Sequence, residues 1–141
     1  MAEKYSGECP ITSSWFGRTF LRHPQHCVNG SRTLAENIAD QIGIEIVYRM
    51  YRDMRSGGVA PLLAYNRFSR FTADQLFFIG YAQAWCASPS EEQLVWLLHN
   101  DVHAPDKQRL NVVLGGMAQF AAAFGCEANS ESGCDRFWVF K

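Results

Sequence analysis

A helical period in the apolar residues between Thr33 and Arg55 is the feature that most constrains the fold of this 141-residue chain. Residues three or four apart lie on one face of a helix, so the period predicts an amphipathic helix. Thr33 followed by Glu36 has the pattern of a capping box at its start, and Ser56-Gly57-Gly58 predicts its end. The period comprises Leu34, Ile38, Ile42, Ile46 or Val47, and Met50.

Shorter segments follow this helix. Thr72 can cap a second helix with the body Gln75 to Trp85, which is apolar on nearly every side and is therefore expected in a core. A third helix is predicted from Ser90 to His99, with acidic residues in its first turn. The remaining predictions are a turn at Asp101 to Pro105, a brief extended piece at Leu110 to Leu114, and a short helix from Met117 to Phe124 ended by Gly125.

The composition supports one folded unit. With 48% hydrophobic and 13% aromatic residues, the chain has enough apolar material for a core. The first 30 residues and the tail lack a sustained period, and we find no repeat, low-complexity tract or domain linker. We therefore predict a single, mainly helical unit over residues 1–141.

Charge and hydropathy exclude two classes of partner. A net charge of −1 without a long run of like charge gives no general attraction to nucleic acid or to an anionic membrane. No stretch approaches the roughly 20 apolar residues of a membrane helix, and Met1 to Pro10 is too polar for a secretory signal. The expectation from the chain as written is therefore no nucleic acid, no membrane contact and no export signal.

The cysteines point towards an extracellular setting instead. They are scattered without a C-x-x-C pair, which argues against a zinc ribbon and suits disulfides. Their odd number predicts at least one cysteine that is free or bonded outside this segment, as expected of a piece of a longer protein. Asn29-Gly30-Ser31 is a weak glycosylation sequon at Asn29. The five cysteines are Cys9, Cys27, Cys86, Cys126 and Cys134.

Glu36 and Asp40 are the first candidate functional pair. Four residues apart on a helix, the two carboxylates project from one face and repel each other, so a cation or strong donor between them would explain their presence. From spacing alone, a solvated helix face remains the commoner explanation. His103 before Ala104-Pro105 is, by the same standard, more often a residue that bonds a turn.

Four ordered sequence blocks give these residues a more specific meaning. The blocks are Asn29-Gly30 with Thr33-Leu34-Ala35-Glu36-Asn37-Ile38-Ala39-Asp40, then Asp74 to Cys86, then Asp101-Val102-His103-Ala104-Pro105 with Arg109, and finally Phe120 to Cys126 with Cys134 and Trp138. Together they resemble the neprilysin and endothelin-converting enzyme family of zinc metallopeptidases. The resemblance implies the C-terminal part of a gluzincin-type catalytic domain with irregular, disulfide-linked termini.

The resemblance also implies roles for particular residues. Glu36 would supply the third protein ligand to zinc, and Asp40 would accept a hydrogen bond from a zinc-bound histidine. His103 would stabilise the developing oxyanion, while Arg109 would bind a peptide carbonyl. The general base and both histidine ligands belong to an H-E-x-x-H string, which this sequence does not contain.

The family pattern bears on the cysteines as well. It implies a disulfide between Cys9 and Cys134, and it leaves Cys86 and Cys126 without their usual partners; Cys27 has no counterpart. Ala35 replaces the usual glycine before the glutamate, which a helix tolerates. Trp138, usually the last residue, is followed here by three more and lies one position further from Cys134.

Two functional hypotheses follow. In the first, the chain is part of an enzyme, extracellular or at the cell surface by the resemblance, that uses zinc to hydrolyse extracellular oligopeptides, and it is inactive and without tight zinc binding alone. In the second, it is a non-catalytic truncated product or pseudo-enzyme that at most binds peptides or a protein. An in-frame H-E-x-x-H upstream of Met1 would favour the first.

Two other clusters are given structural interpretations. The H-x-x-H-C string of His23, His26 and Cys27 lies in loop sequence without matching ligands nearby, which disfavours a metal site there. The aromatic residues of the second helix are expected to pack in a core rather than to line a ligand cage.

Overall fold

The computed structural model describes residues 26–57 and 70–126, together with Glu3 and Ser6. Within these ranges the chain is mainly helical and contains no β-strand, which confirms the predicted fold class. Its helices are α1 (Leu34–Ser56), α2 (Ala73–Gln83), α3 (Glu91–Asn100), α4 (Asp106–Gly115) and α5 (Ala118–Phe124).

Three of the predicted helices form close to the expected residues. Thr72 and Gln75 make a reciprocal capping box at α2, since the hydroxyl accepts from the Gln75 N–H and the Gln75 side chain accepts from the Thr72 N–H. Ser90 caps α3 by accepting from the Gln93 N–H. Gly125 ends α5 at φ 67°, a left-handed conformation that glycine adopts without a side-chain clash.

The start of α1 uses a different arrangement from the predicted capping box. Thr33 makes no side-chain cap; its hydroxyl donates to the Asn29 carbonyl and accepts from Asn37 Nδ2 at 2.8 Å. Asn37 is fully buried, so this polar contact anchors the first turn of α1 inside the protein. The Glu36 carboxylate is thereby left for another partner.

The extended piece predicted at Leu110 to Leu114 is wrong, because these residues lie in α4. Two adjacent valines, Val112 and Val113, gave the segment a strand-like propensity. In the structure Leu110, Val113 and Leu114 are each at most 5% exposed, and their spacing matches one face of a helix. Tertiary burial therefore outweighs local propensity here.

The core forms where α1, α2, α4 and α5 meet. α1 packs against α4, α2 against α5, and α4 against α5. A smaller cluster joins Val28 to Leu98 and Ala104, which fixes the segment before α1 against the end of α3. The main core contains Ile44, Tyr48, Phe78, Ala82, Leu110, Val113, Leu114, Met117 and Phe120.

The predicted apolar stripe of α1 is not the face that this core buries. Ile44 and Tyr48 point into the core, whereas residues at four-residue spacing along another face are 40–58% exposed. These residues are Ile38, Ile42, Ile46, Met50 and Met54, and we call them the α1 stripe. With a rise of about 1.5 Å per residue, the stripe runs for roughly 24 Å along the helix.

Candidate catalytic and substrate site

The two carboxylates of α1 face the segment that follows α3. Glu36 and Asp40 lie one helical turn apart, as the spacing predicted, and their side chains are 38% and 10% exposed. Neither carboxylate points into open solvent, because each contacts a basic residue from the 101–109 region. The structure therefore brings together Glu36, Asp40, His103 and Arg109, which lie up to 73 positions apart in sequence.

His103 lies between two carboxylates. Its Nε2 is 3.2 Å from Glu36 Oε2, and its Nδ1 is 2.7 Å from Asp101 Oδ1. The same Asp101 oxygen accepts the His103 backbone N–H at 2.8 Å. These two hydrogen bonds, the backbone one first, lower the pKa of Asp101 and fix the orientation of the imidazole.

Arg109 and Asp40 form the second contact across the site. Arg109 Nε and Nη2 each donate to one oxygen of Asp40 at 2.7 Å, the paired geometry that a guanidinium and a carboxylate favour. The guanidinium also stacks over the Trp85 ring, 4.4 Å from its centroid. Hydrogen bonding to Asp40 raises the pKa of Arg109, so this side chain is a permanent, positioned cation.

An apolar cleft of about 500 Å³ opens beside Asp40 between α1 and α2. Burial raises the pKa of Tyr81 in its wall, and the nearby Asp40 carboxylate acts in the same direction, so the phenol stays neutral. The cleft is lined by Ala39, Asp40, Gly43, Ile44, Val47, Phe77, Tyr81 and Trp85.

Comparison with known proteins decides how this arrangement is classified. A model of peptidase family M13 matches residues 4–136. Neprilysin-1 of Caenorhabditis elegans is 41% identical over 112 residues, 78% of this chain, and mouse neprilysin is 40% identical over 107 residues, 75% of this chain. An endothelin-converting enzyme homolog of Locusta migratoria is 37% identical over 106 residues, 74% of this chain.

The chain belongs to peptidase family M13. This membership confirms the predicted family of zinc metallopeptidases. The chain spans only about 14–15% of the length of these three relatives. The activity of a whole M13 enzyme is therefore a matter for proposal rather than a property of this segment.

The described residues fit an M13 zinc centre only in part. Glu36 offers a carboxylate oxygen of the kind that binds zinc, but residues 26–57 and 70–126 hold no group of three or more His, Cys, Asp or Glu side chains able to hold a metal ion. A catalytic zinc needs three protein ligands, so this part of the chain does not supply the full set.

The structure describes three cysteines whose redox state the sequence left open. Cys27 and Cys126 are disulfide-bonded, although the resemblance leaves Cys126 without its usual partner. Cys86 is an exposed free thiol. The disulfide predicted between Cys9 and Cys134 lies outside the described residues.

Other predicted features have simpler outcomes. Asn29 is exposed, and its side-chain oxygen accepts the Arg32 N–H, while its glycosylation stays a prediction. In the part of the chain that the structure describes, no helix is long and apolar enough to cross a membrane. Of the H-x-x-H-C string, His23 lies outside the described residues.

Two residues of the site were not assigned a role from sequence. Asp101 belongs to the D-x-H string, and an aspartate that bonds the backbone two residues later is a common turn arrangement that would have indicated its contact with His103. Trp85 was expected to pack in a core; it is half-buried against the main core, and it also lies beneath the Arg109 guanidinium. Only a three-dimensional structure joins these residues.

Proposed function

We propose that this chain is the C-terminal part of an M13 zinc endopeptidase that cleaves extracellular oligopeptides. In this proposal Glu36 supplies one carboxylate ligand to zinc, and His103 and Arg109 bind the reacting peptide. The observation that carries the proposal is the meeting of Glu36 Oε2 and His103 Nε2 at 3.2 Å, which brings a ligand oxygen and an oxyanion donor to one point.

His103 is suited to stabilise an oxyanion because Asp101 holds its Nδ1. With Nδ1–H donated to the Asp101 carboxylate, protonation of Nε2 gives an imidazolium whose Nε2–H can donate towards substrate. The positioned donor would be worth roughly 10²–10³ in kcat if it acts as other oxyanion donors do.

Arg109 is suited to bind a peptide carbonyl because it is already immobilised. Its Nε and Nη2 donate to Asp40, and a guanidinium has five N–H groups in total, so others remain for an acceptor. Each Asp40 oxygen has a second lone pair, which leaves room for the predicted bond from a metal-bound histidine. Asp40 would then position groups on both sides of the site.

Zinc, when bound in the complete domain, would activate water for attack on the scissile carbonyl. The described ranges, 26–57 and 70–126, offer too few ligands for that chemistry by themselves. We therefore propose that the chain does not hydrolyse peptides by itself.

A chimera provides the test. Residues 26–126 replace the matching C-terminal segment of mouse neprilysin, and zinc content and peptide hydrolysis are measured on the purified protein. We expect an active chimera in which Glu36→Gln loses zinc and activity together, His103→Gln keeps zinc but loses about 10²–10³ in kcat, and Arg109→Gln mainly raises KM.

Asp74→Asn, in an ion pair outside the site, is the matched control and should leave all three quantities unchanged. Full zinc occupancy and activity in the Glu36→Gln chimera would refute the assignment of the ligand. An inactive chimera with normal zinc and normal folding would favour the pseudo-enzyme instead. Peptide hydrolysis by the 141-residue chain alone, abolished by Glu36→Gln, would refute the proposed inactivity.

A further inference from the structure

Two imidazoles from distant parts of the chain meet at the last turn of α3. His26 Nδ1 lies 3.1 Å from His99 Nε2, and the two rings are nearly perpendicular, with centroids 5.2 Å apart. No sequence pattern joins the two histidines, since 73 positions separate them. The proposed peptidase site uses neither residue.

The backbone around both histidines is held in place. The Arg32 side chain donates to the Leu98 and His99 carbonyls at the end of α3. Val28, two residues after His26, is 3% exposed and packs against Leu98. Buried contacts and the hydrogen bonds of Arg32 therefore hold the two backbone segments, and a hydrogen bond between the rings joins the imidazoles themselves.

The geometry points to a two-histidine site for a late first-row divalent cation such as Ni²⁺, Cu²⁺ or Zn²⁺, and we propose that His26 and His99 are its protein ligands. With metal–nitrogen bonds of about 2.1 Å, nitrogens 3.1 Å apart subtend an angle of about 95° at the ion, close to neighbouring positions of a tetragonal shell. Imidazole nitrogen is a preferred ligand of these ions, and water would complete the shell.

The local charge is mixed. His99 lies in the last turn of α3, where the helix dipole favours a cation. The positive charge of the Arg32 guanidinium repels a bound cation, although the guanidinium donates to two backbone carbonyls. A pair of ligands with a nearby arginine predicts reversible binding, weaker than that of a structural zinc site.

Isothermal titration of the 141-residue chain with NiCl₂ tests the proposal. We expect one site per chain, and either His26→Gln or His99→Gln should weaken it by at least the roughly tenfold that loss of even an outer-shell partner costs. His103→Gln is the matched control, since His103 also pairs with a possible ligand, Glu36, and it should leave the affinity unchanged.

A second measurement needs no substitution. Zn²⁺ is added to the wild-type chain, and the ring signals of its four histidines are followed by NMR; those of His26 and His99 should shift together at one equivalent. Nickel affinity within twofold of wild type in both His26→Gln and His99→Gln would overturn the proposal. So would loss of binding in His103→Gln, or zinc-induced shifts confined to His23 and His103.

Discussion

At the scale of single residues, the ion pair of Asp40 and Arg109 combines low exposure with two short hydrogen bonds. The side chains are 10% and 18% exposed, and the guanidinium also stacks on Trp85. Solvent screens the attraction between two such poorly exposed charges only weakly. Removal of one partner therefore leaves the charge of the other uncompensated. The pair should therefore matter for folding as well as for any substrate.

Asp40→Asn should lower the free energy of unfolding by about 3 kcal/mol, because it leaves the Arg109 charge partly buried without its carboxylate. Urea denaturation followed by circular dichroism measures this loss. The control is Asp74→Asn, whose pair with Arg55 is 30–35% exposed and should cost less than about 1 kcal/mol. Equal losses of unfolding free energy in the two variants would contradict the prediction that the less exposed pair of Asp40 stabilises the fold more than the pair of Asp74.

Asp101 gives a pH-dependent prediction. Its pKa lies below the ordinary 3.8, mainly because the His103 backbone N–H and then the His103 ring donate to it. The folded chain thus holds this proton less readily than the unfolded chain, so the stabilisation is complete above the unfolded pKa and is lost as the pH falls through the lowered folded pKa.

The wild type should accordingly have a higher free energy of unfolding than Asp101→Asn at neutral pH, and this difference should narrow below about pH 3.8. Urea denaturation at several pH values measures the difference. Asp53→Asn on the exposed side of α1 is the control. A difference that stays constant down to about pH 2 would show that the Asp101 carboxylate does not act through its charge.

At the scale of helices, local sequence signals were sufficient where a cap and a period agreed. α1, α2, α3 and α5 all begin and end near the residues that Thr33, Thr72, Ser90 and Gly125 indicated. The prediction for α4 failed because its valines favour strands. Its helical face becomes evident only when Val113 is seen in contact with the core. Motif order singled out Glu36, Asp40, His103 and Arg109, which lie together in the structure. The contact of Trp85 with Arg109 depends instead on packing that no local pattern encodes.

The α2 cap provides a test at this scale. Thr72→Ala removes the acceptor for the Gln75 N–H and should cost about 1 kcal/mol of stability. Thr72→Ser keeps a hydroxyl and should retain most of that stability. The midpoint temperature of thermal unfolding measures both losses of stability. A loss in Thr72→Ser as large as that in Thr72→Ala would mean that the threonine methyl group, rather than the cap, stabilises the helix.

At the scale of the whole molecule, the α1 stripe is an apolar surface that the described part of the chain does not cover. Its five residues are 40–58% exposed, and they lie beside the apolar cleft. Extended apolar patches on a soluble surface favour association. In a complete M13 domain, this surface would be available to the remaining 85% or so of the polypeptide.

The isolated chain should therefore self-associate through the stripe. Ile42→Lys places a charge at its centre and should shift the sedimentation distribution towards monomer without loss of helix content. Gln119→Lys adds the same charge on an exposed part of α5 and should leave the distribution unchanged. A wild-type chain that sediments as a monomer over a wide concentration range would refute this prediction.

α1 is used on several sides at once: Ile44 and Tyr48 fill the interior, Glu36 and Asp40 bind the basic residues of the site, and the stripe faces outwards. The inward side of this rod is therefore committed to packing and to charge pairs, whereas its outward side is open, as at Asp53. Mutations can accumulate on the outward side without harm to the core, but a change at Ile44 or Asp40 would disturb the interior or the site directly.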